Sequence, residues 1–369
     1  MWNCVCPVLV KLTVLSILVG IVAAAGCGSD GNSTPGAGAT TGSTGGATSS
    51  GGKTGTGGST SSGGKTGSAV PGCGVVTELA FWQTEAKGIV ATATDVAWIG
   101  NANDVDGQGY LAKIPIGGGT PVTLASNLDA GTQLATDGTN LYWVAPNDGN
   151  IMKIALAGGN AVPIVTGQGQ LADIIAVDAT SVYWRNAQNE IMKAPLAGGT
   201  PTTLASNVEG QNIAVSASAV YLSAYDPNTT SDNSWLASVP LNGGAAKQFG
   251  PTTEGEIDWV AVNATTVSWI TNNGASGASI STVATAGGTA VTLVKDSSAD
   301  FIAVDDTNVY YVNENVMKVP LAGGTPVTLT TINIPAVTSD PAGIALDATS
   351  VYWTDYSQRI LKTSKCNTP

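Results

Sequence analysis

Seven segments of this chain repeat one short pattern, a turn residue with a side-chain oxygen followed by an apolar, mostly aromatic run. They are TATDVAW (92–98), DGTNLYW (137–143), DATSVYW (178–184), SASAVYL (216–222), NATTVSW (263–269), DDTNVYY (305–311) and DATSVYW (347–353). The last residues of successive copies are 45, 41, 38, 47, 42 and 42 positions apart. A period near 42 with four short apolar stretches per unit predicts the blade of a β-propeller. No stretch carries a helical period, while Val, Thr, Ile and Tyr abound. The expected fold is all-β, a seven-bladed propeller, with six or eight blades as the alternatives.

The third unit can be read in full. IIAVD (174–178) is the inner strand a, VYWRN strand b, EIMKAPL strand c and PTTLAS the outer strand d. The first turn position holds Thr92, Asp137, Asp178, Ser216, Asn263, Asp305 or Asp347. Each offers an oxygen that accepts backbone N–H bonds two residues on and closes the a–b turn. The Gly-Gly pairs of the c–d turns supply positive φ for tight hairpins. Tyr and Trp are expected to fill the wedge between blades.

The last unit has strands a, b and c but no strand d, whereas CGVVTELAFWQTEA (73–86) precedes the first strand a with no sheet of its own. The ring is therefore expected to close with this N-terminal segment completing the C-terminal blade. That brings Cys73 and Cys366 to the two sides of the one c–d turn the chain does not make. A Cys73–Cys366 disulfide would replace the missing hairpin.

Ahead of the repeats, an apolar run from Leu12 to Ala25 follows Lys11 and ends Ala24-Ala25-Gly26-Cys27. This resembles a bacterial lipobox. The resemblance implies a signal peptide over 1–26, acylation of Cys27 and a membrane held through that N-terminal lipid. It also implies a bacterial cell-envelope location, with the outer membrane favoured because Gly28 is not the inner-membrane retention Asp. An ordinary secretory signal and an anchor helix over 5–25 are the alternatives. Residues 27–70 are nearly all Gly, Ser, Thr and Ala, a composition that cannot bury a core and reads as a disordered tether. The two GGKTG runs within it lack the Gly six residues before Lys that a phosphate loop needs. The propeller is assigned to 71–369.

VYWTD (351–355), with VYWRN, LYWVA and VYYVN, resembles the YWTD propellers of extracellular receptors and of bacterial periplasmic and surface proteins. Those propellers usually have six blades, and only the last copy here is a literal YWTD. The resemblance implies a binding platform rather than an enzyme.

Composition removes several chemistries. Histidine is absent, so neither imidazole ligands nor a Ser-His-Asp triad can form. Two arginines cannot build the three-arginine site of a sialidase. A net charge of −12 argues against nucleic acid. The b–c and d–a loops vary between copies, and loops on a rigid scaffold are where binding residues gather. Candidates there are Asp104, Asp106, Asp226, Asp232, Trp235, Asn272 and Tyr356. Acids and amides beside aromatic planes suit a saccharide, a protein partner such as a cationic peptide, or calcium, although NDVDG (103–107) fails the EF-hand spacing. No other cofactor is expected. Glu254, Glu256 and Asp258 are the pair-formers for a carboxylate-based glycan hydrolase, the alternative reading; a scaffold role in an envelope complex is a third. Lys113, Lys153, Lys193, Lys318 and Lys362 recur on strand c and are expected to lie over apolar surface as edge guards.

Overall fold

The computed structural model describes residues 74–366, except 82, 84, 102–108, 130, 226–233, 253–254, 275–276, 314, 332–340 and 356–357. Those residues form seven four-stranded antiparallel sheets, each in the order a-b-c-d from the channel outward, arranged in a ring. Blades 1 to 6 occupy 86–128, 135–165, 175–205, 213–252, 256–297 and 301–331. Blade 7 takes strands a to c from 341–364 and its outer strand, Thr77–Ala80, from the N-terminal side of blade 1. The closing pairs are Thr77↔Lys362 and Glu78↔Leu361. The ring closure expected from the unmatched ends is the one observed, although the borrowed strand is only four residues long.

Each blade has two faces to cover, so the core is divided. Seven apolar clusters are present, one at each contact between neighbouring blades. The b strands supply the largest fillers: Trp98, Trp143, Trp184, Trp269 and Trp353 are fully buried. Both residues of a Tyr-Trp pair are buried because strand b is covered on both faces. At the outside, every c–d pairing contains a register irregularity. Such bulges twist an edge away from pairing with another chain.

The face carrying the a–b and c–d turns is regular. Asp137, Asp178, Asp305 and Asp347 each accept, at Oδ1, the backbone N–H groups two and three residues on, at 2.6–2.9 Å. Asn263 does the same, and Thr92 and Ser216 use their hydroxyls. The turn reading therefore holds in all seven blades. The c–d turns have positive φ at both glycines, for example Gly198 at 88° and Gly199 at 142°.

The structure adds a second bond at these turns. The other carboxylate oxygen accepts the hydroxyl of the tyrosine five residues on: Tyr142, Tyr183, Tyr310 and Tyr352, at 2.5–2.9 Å. Burial alone would raise these carboxyls, but the hydrogen bonds they receive outweigh it and hold each below the ordinary aspartate value.

The strand c lysines correct the edge-guard expectation. Lys153, Lys193 and Lys362 lie directly across from Tyr142, Tyr183 and Tyr352. Each ammonium sits 5.4–5.5 Å from that tyrosine ring centre. Each also donates to a carbonyl of the following blade: Leu196, Leu241 and Ile116, at 2.9–3.4 Å. Lys318 reaches the Lys365 carbonyl at 2.8 Å, while Lys365 covers Tyr310 and pairs with Asp305 at 3.0 Å. These lysines clasp one blade to the next and do not guard an edge. In blade 1 Lys113 faces Ala97 and pairs within its own blade with Asp95 at 3.1 Å, and the tyrosine–lysine pattern lapses again in blades 4 and 5. There Tyr221 faces Ser238 and donates to Thr285 of blade 5, and Ser268 bonds Thr282.

Candidate functional site

The opposite face gathers the variable loops and the mouth of the central channel. Strand a of every blade runs inward from this face, so its first residues form the rim. Pairing with strand b fixes their level. The residues across from the aromatic position are Ile89, Ile175, Ile213, Val260, Ile302 and Ile344, and Leu134 takes that place in blade 2. These aliphatic residues form the floor. One residue outward stand Gly88, Gln133, Ile174, Asn212, Trp259, Phe301 and Gly343. One further outward stand Lys87, Thr132, Asp173, Gln211, Asp258 and Asp300. Residues of all seven blades line a cavity of about 480 Å³ here, a volume in the range of small-ligand sites.

The wall is sealed between blades by side chains that take up backbone groups of the innermost strands. Asn212, 3% exposed, accepts Val260 N–H at 3.0 Å. The Asp173 carboxylate receives the N–H and hydroxyl of Thr132, and Gln133 N–H at 3.3 Å. Thr354 donates to the Lys87 carbonyl at 3.2 Å. On the side of blades 7, 1 and 2 the strands approach so closely that a Cβ at Gly343 would lie 2.7 Å from the Lys87 oxygen. A Cβ at Gly88 would lie 2.6 Å from the Thr132 oxygen.

The side formed by blades 4, 5 and 6 differs. Trp259 and Phe301 meet edge to face, ring centres 4.8 Å apart, both half-buried and both lining the cavity. Above them lies an acidic network. Asp258 is the extra residue of a bulge between the pairs Ile257↔Thr271 and Trp259↔Ile270. Burial raises its carboxyl; a hydrogen bond from Asn272 opposes this, and the charges of Glu256 and Asp300 add to the rise. Glu256 accepts the Tyr225 hydroxyl and, at 2.6 Å, the Gln211 amide. Gln211 also donates to the Tyr225 oxygen at 2.9 Å. Burial, the bond to Glu256 and the charges of Glu256, Asp258 and Glu209 all raise the Tyr225 phenol. On the far wall Lys87 is paired with Glu85 at 3.7 Å.

Of the residues chosen from sequence, Asn272 joins this network beside Asp258. Trp235 lies on strand c of blade 4, half-buried, and packs against the apolar cluster between blades 3 and 4. Asp104, Asp106, Asp226, Asp232 and Tyr356 lie outside the described residues, as do Glu254, Cys27 and Cys73. Among the described residues no three acidic or cysteine side chains converge as a metal site. Sequence reasoning missed Gln211, Tyr225, Trp259, Asp300 and Phe301. Their one signal is position, since each stands at the mouth end of a strand a or b.

No family model and no curated protein matches the chain. Solved structures do match. Virginiamycin B lyase from Staphylococcus aureus, held with quinupristin in a catalytically inactive histidine-to-alanine variant, has a TM-score of 0.58 at 13% identity, covering 79% of this chain and 99% of that one. YCF48 from Cyanidioschyzon merolae has a TM-score of 0.58 at 10% identity, covering 79% and 99%. Oligogalacturonate lyase from Vibrio parahaemolyticus has a TM-score of 0.58 at 12% identity, covering 78% and 93%. At such identities the likeness is one of fold, and the fold is a seven-bladed β-propeller closed by its N-terminal strand.

Proposed function

We propose that this protein is a binding module of the bacterial cell envelope, carried by a lipid on Cys27 and a flexible tether. It takes a saccharide or protein ligand on the face of the variable loops. The observation that carries this reading is the aromatic-walled cavity beneath the acidic network of blades 4 to 6. The turn face, by contrast, spends its polar groups on internal bonds. Lyase chemistry like that of the staphylococcal neighbour, lost there with one histidine, has no counterpart in a chain without histidine. A Cys73–Cys366 disulfide belongs to the same reading. What supports it is the register of the closing strand, whose pairs Thr77↔Lys362 and Glu78↔Leu361 run toward Cys366.

The test is a thermal-shift screen of the whole oxidised protein against saccharides, basic peptides and calcium. A specific ligand at 100 times its Kd should add about 2.7 kcal/mol of stability. A flat screen with the fold intact would defeat the small-ligand reading and favour a scaffold. Labelled palmitate absent from the protein in a bacterial host would defeat the anchor.

The glycan-hydrolase reading has one observation in its favour, the Asp258 carboxyl raised by burial and standing near Glu256. Release of reducing ends from an envelope polysaccharide, lost on Glu256→Gln, would establish it.

A further inference from the structure

We propose that the channel mouth takes a neutral sugar unit bearing an acetamido group, its carbonyl oxygen accepting from Asn212 Nδ2 and a second sugar oxygen accepting from Gln133 Nε2. This deepens the binding-module reading and rests on it. Gln133, Asn212, Trp259 and Phe301 stand at one level of the wall and all line the cavity. Asn212 is 3% exposed. Its Oδ1 accepts Val260 N–H at 3.0 Å, and because that partner can only donate, the amide nitrogen is the arm left for the cavity. Nδ2 has no hydrogen-bond partner among the described residues. Gln133 repeats the arrangement two blades away: its Oε1 accepts Ile175 N–H at 3.5 Å, and its Nε2 has no partner among the described residues. A donor buried without an acceptor is destabilising, and an oxygen brought by a ligand recovers that loss.

Both amide oxygens are engaged with backbone, so these side chains offer the cavity donors. One level below lie Ile175, Ile213 and Val260, aliphatic and also on the cavity wall. A carbonyl with a methyl beside it meets both layers, oxygen to amide and methyl to floor. A hydroxyl in that place would set a second polar group against the aliphatic floor. The Trp259–Phe301 pair gives the C–H face of the sugar ring an apolar surface to rest on. Lys87, the charged residue lining the cavity, is paired with Glu85 at 3.7 Å, so the wall favours a neutral group over an ion. A cavity of about 480 Å³ holds a sugar unit rather than a folded partner.

Isothermal titration of the whole protein with three tetramers of the same linkage separates the cases: N-acetylglucosamine, its de-N-acetylated form and glucose. The titrations are run at about pH 8 and about 0.3 M salt, which ionises introduced carboxylates and screens the charge of the chain. The N-acetylated tetramer is expected to bind at least about 10-fold tighter than either of the others. Asn212→Asp keeps an oxygen for Val260 N–H and removes the donor, so it should abolish that preference. Gln133→Glu makes the same exchange at a half-buried position and should weaken the N-acetylated tetramer about 10-fold. A melting curve for each variant shows whether a lost signal is lost folding, and Gln133→Glu decides the matter if Asn212→Asp does not fold. Equal binding of the three tetramers, or a preference that survives both variants, would overturn the acetamido site and leave the binding module standing. Silence with all three would overturn it as well, while the broader saccharide, peptide and calcium screen still judges the module.

Discussion

The two faces of this propeller use the same side chains to opposite ends. On the turn face an aspartate, a tyrosine and a lysine saturate one another: carboxylate to turn N–H groups and phenol, ammonium to ring and neighbouring carbonyl. At the channel mouth a tyrosine and several carboxylates are again in contact, but acid faces acid, and burial raises Asp258 where it fails to raise Asp178. Polar groups that find partners within their own repeat specify the fold. Polar groups crowded against like charges cost stability, and in the binding-module reading proposed above they are the ones a ligand would satisfy.

The largest effect should come from breaking the turn face at the turn the chain does not make. The borrowed strand of blade 7 is four residues long and is proposed to be fastened by Cys73–Cys366. In the chain-entropy model a loop of about 290 residues makes that bond worth about 5 kcal/mol. Cys366→Ser should therefore lower the denaturation midpoint sharply, and reduction of the parent should reproduce the loss. A midpoint unmoved by either would mean that the other six covalent turns already hold the ring.

The comparison is sharpest in acid and base. At Asp178 the folded value is depressed, so its contribution is present above the ordinary aspartate pKa near 3.9 and is lost as pH falls below it. At Asp258 the folded value is raised, so folding is favoured while it holds its proton and is opposed as pH rises through the elevated value. Asp178→Asn should thus destabilise at neutral pH by about 1–2 kcal/mol, since two backbone donors and a phenol lose a charged acceptor. Asp258→Asn should be neutral or stabilising under the same conditions, and the gap between the two variants should shrink below about pH 4. Urea melts at pH 3.5 and 7 measure it. Destabilisation by Asp258→Asn comparable to Asp178→Asn would erase the distinction between the faces.

These two aspartates also mark what one sequence reveals. Asp178 was legible because its place recurs in seven copies and the turn needs an oxygen there. The unmatched strands at the two ends revealed ring closure for the same reason, since a repeat makes an omission visible. The tyrosine and lysine partners were not legible as a clasp. Tyr183 meets Lys193 only through strand pairing, and Leu241 belongs to the next blade. The mouth was harder still. Lys87, Thr132, Asp173, Gln211, Asp258 and Asp300 share one structural level, yet they have no residue type in common for periodicity to detect. Bulges shift their count from the aromatic strand, as at Asp258. Choosing candidates by loop length favoured 100–110 and 223–235, whereas the described network stands on the first residues of strands a and the last of strands b.

The smallest effect tests whether the clasps act singly. Lys193→Met keeps the stem over Tyr183 and removes the charge, and with it the ring contact at 5.5 Å and the bond to the Leu241 carbonyl. Exposed cation–ring pairs are worth about 0.5–1 kcal/mol, so one substitution should cost about that much. Blades 4 and 5 fold against their neighbours without a Tyr–Lys pair, using Ser238 and Thr282 at the lysine position. The clasp is therefore an added increment at each interface rather than a condition for it. Combining Lys153→Met, Lys193→Met and Lys362→Met should give the sum of the three single losses, because each lysine bonds to a different carbonyl. A triple variant that falls well below the sum would show the turn face acting as one linked ring.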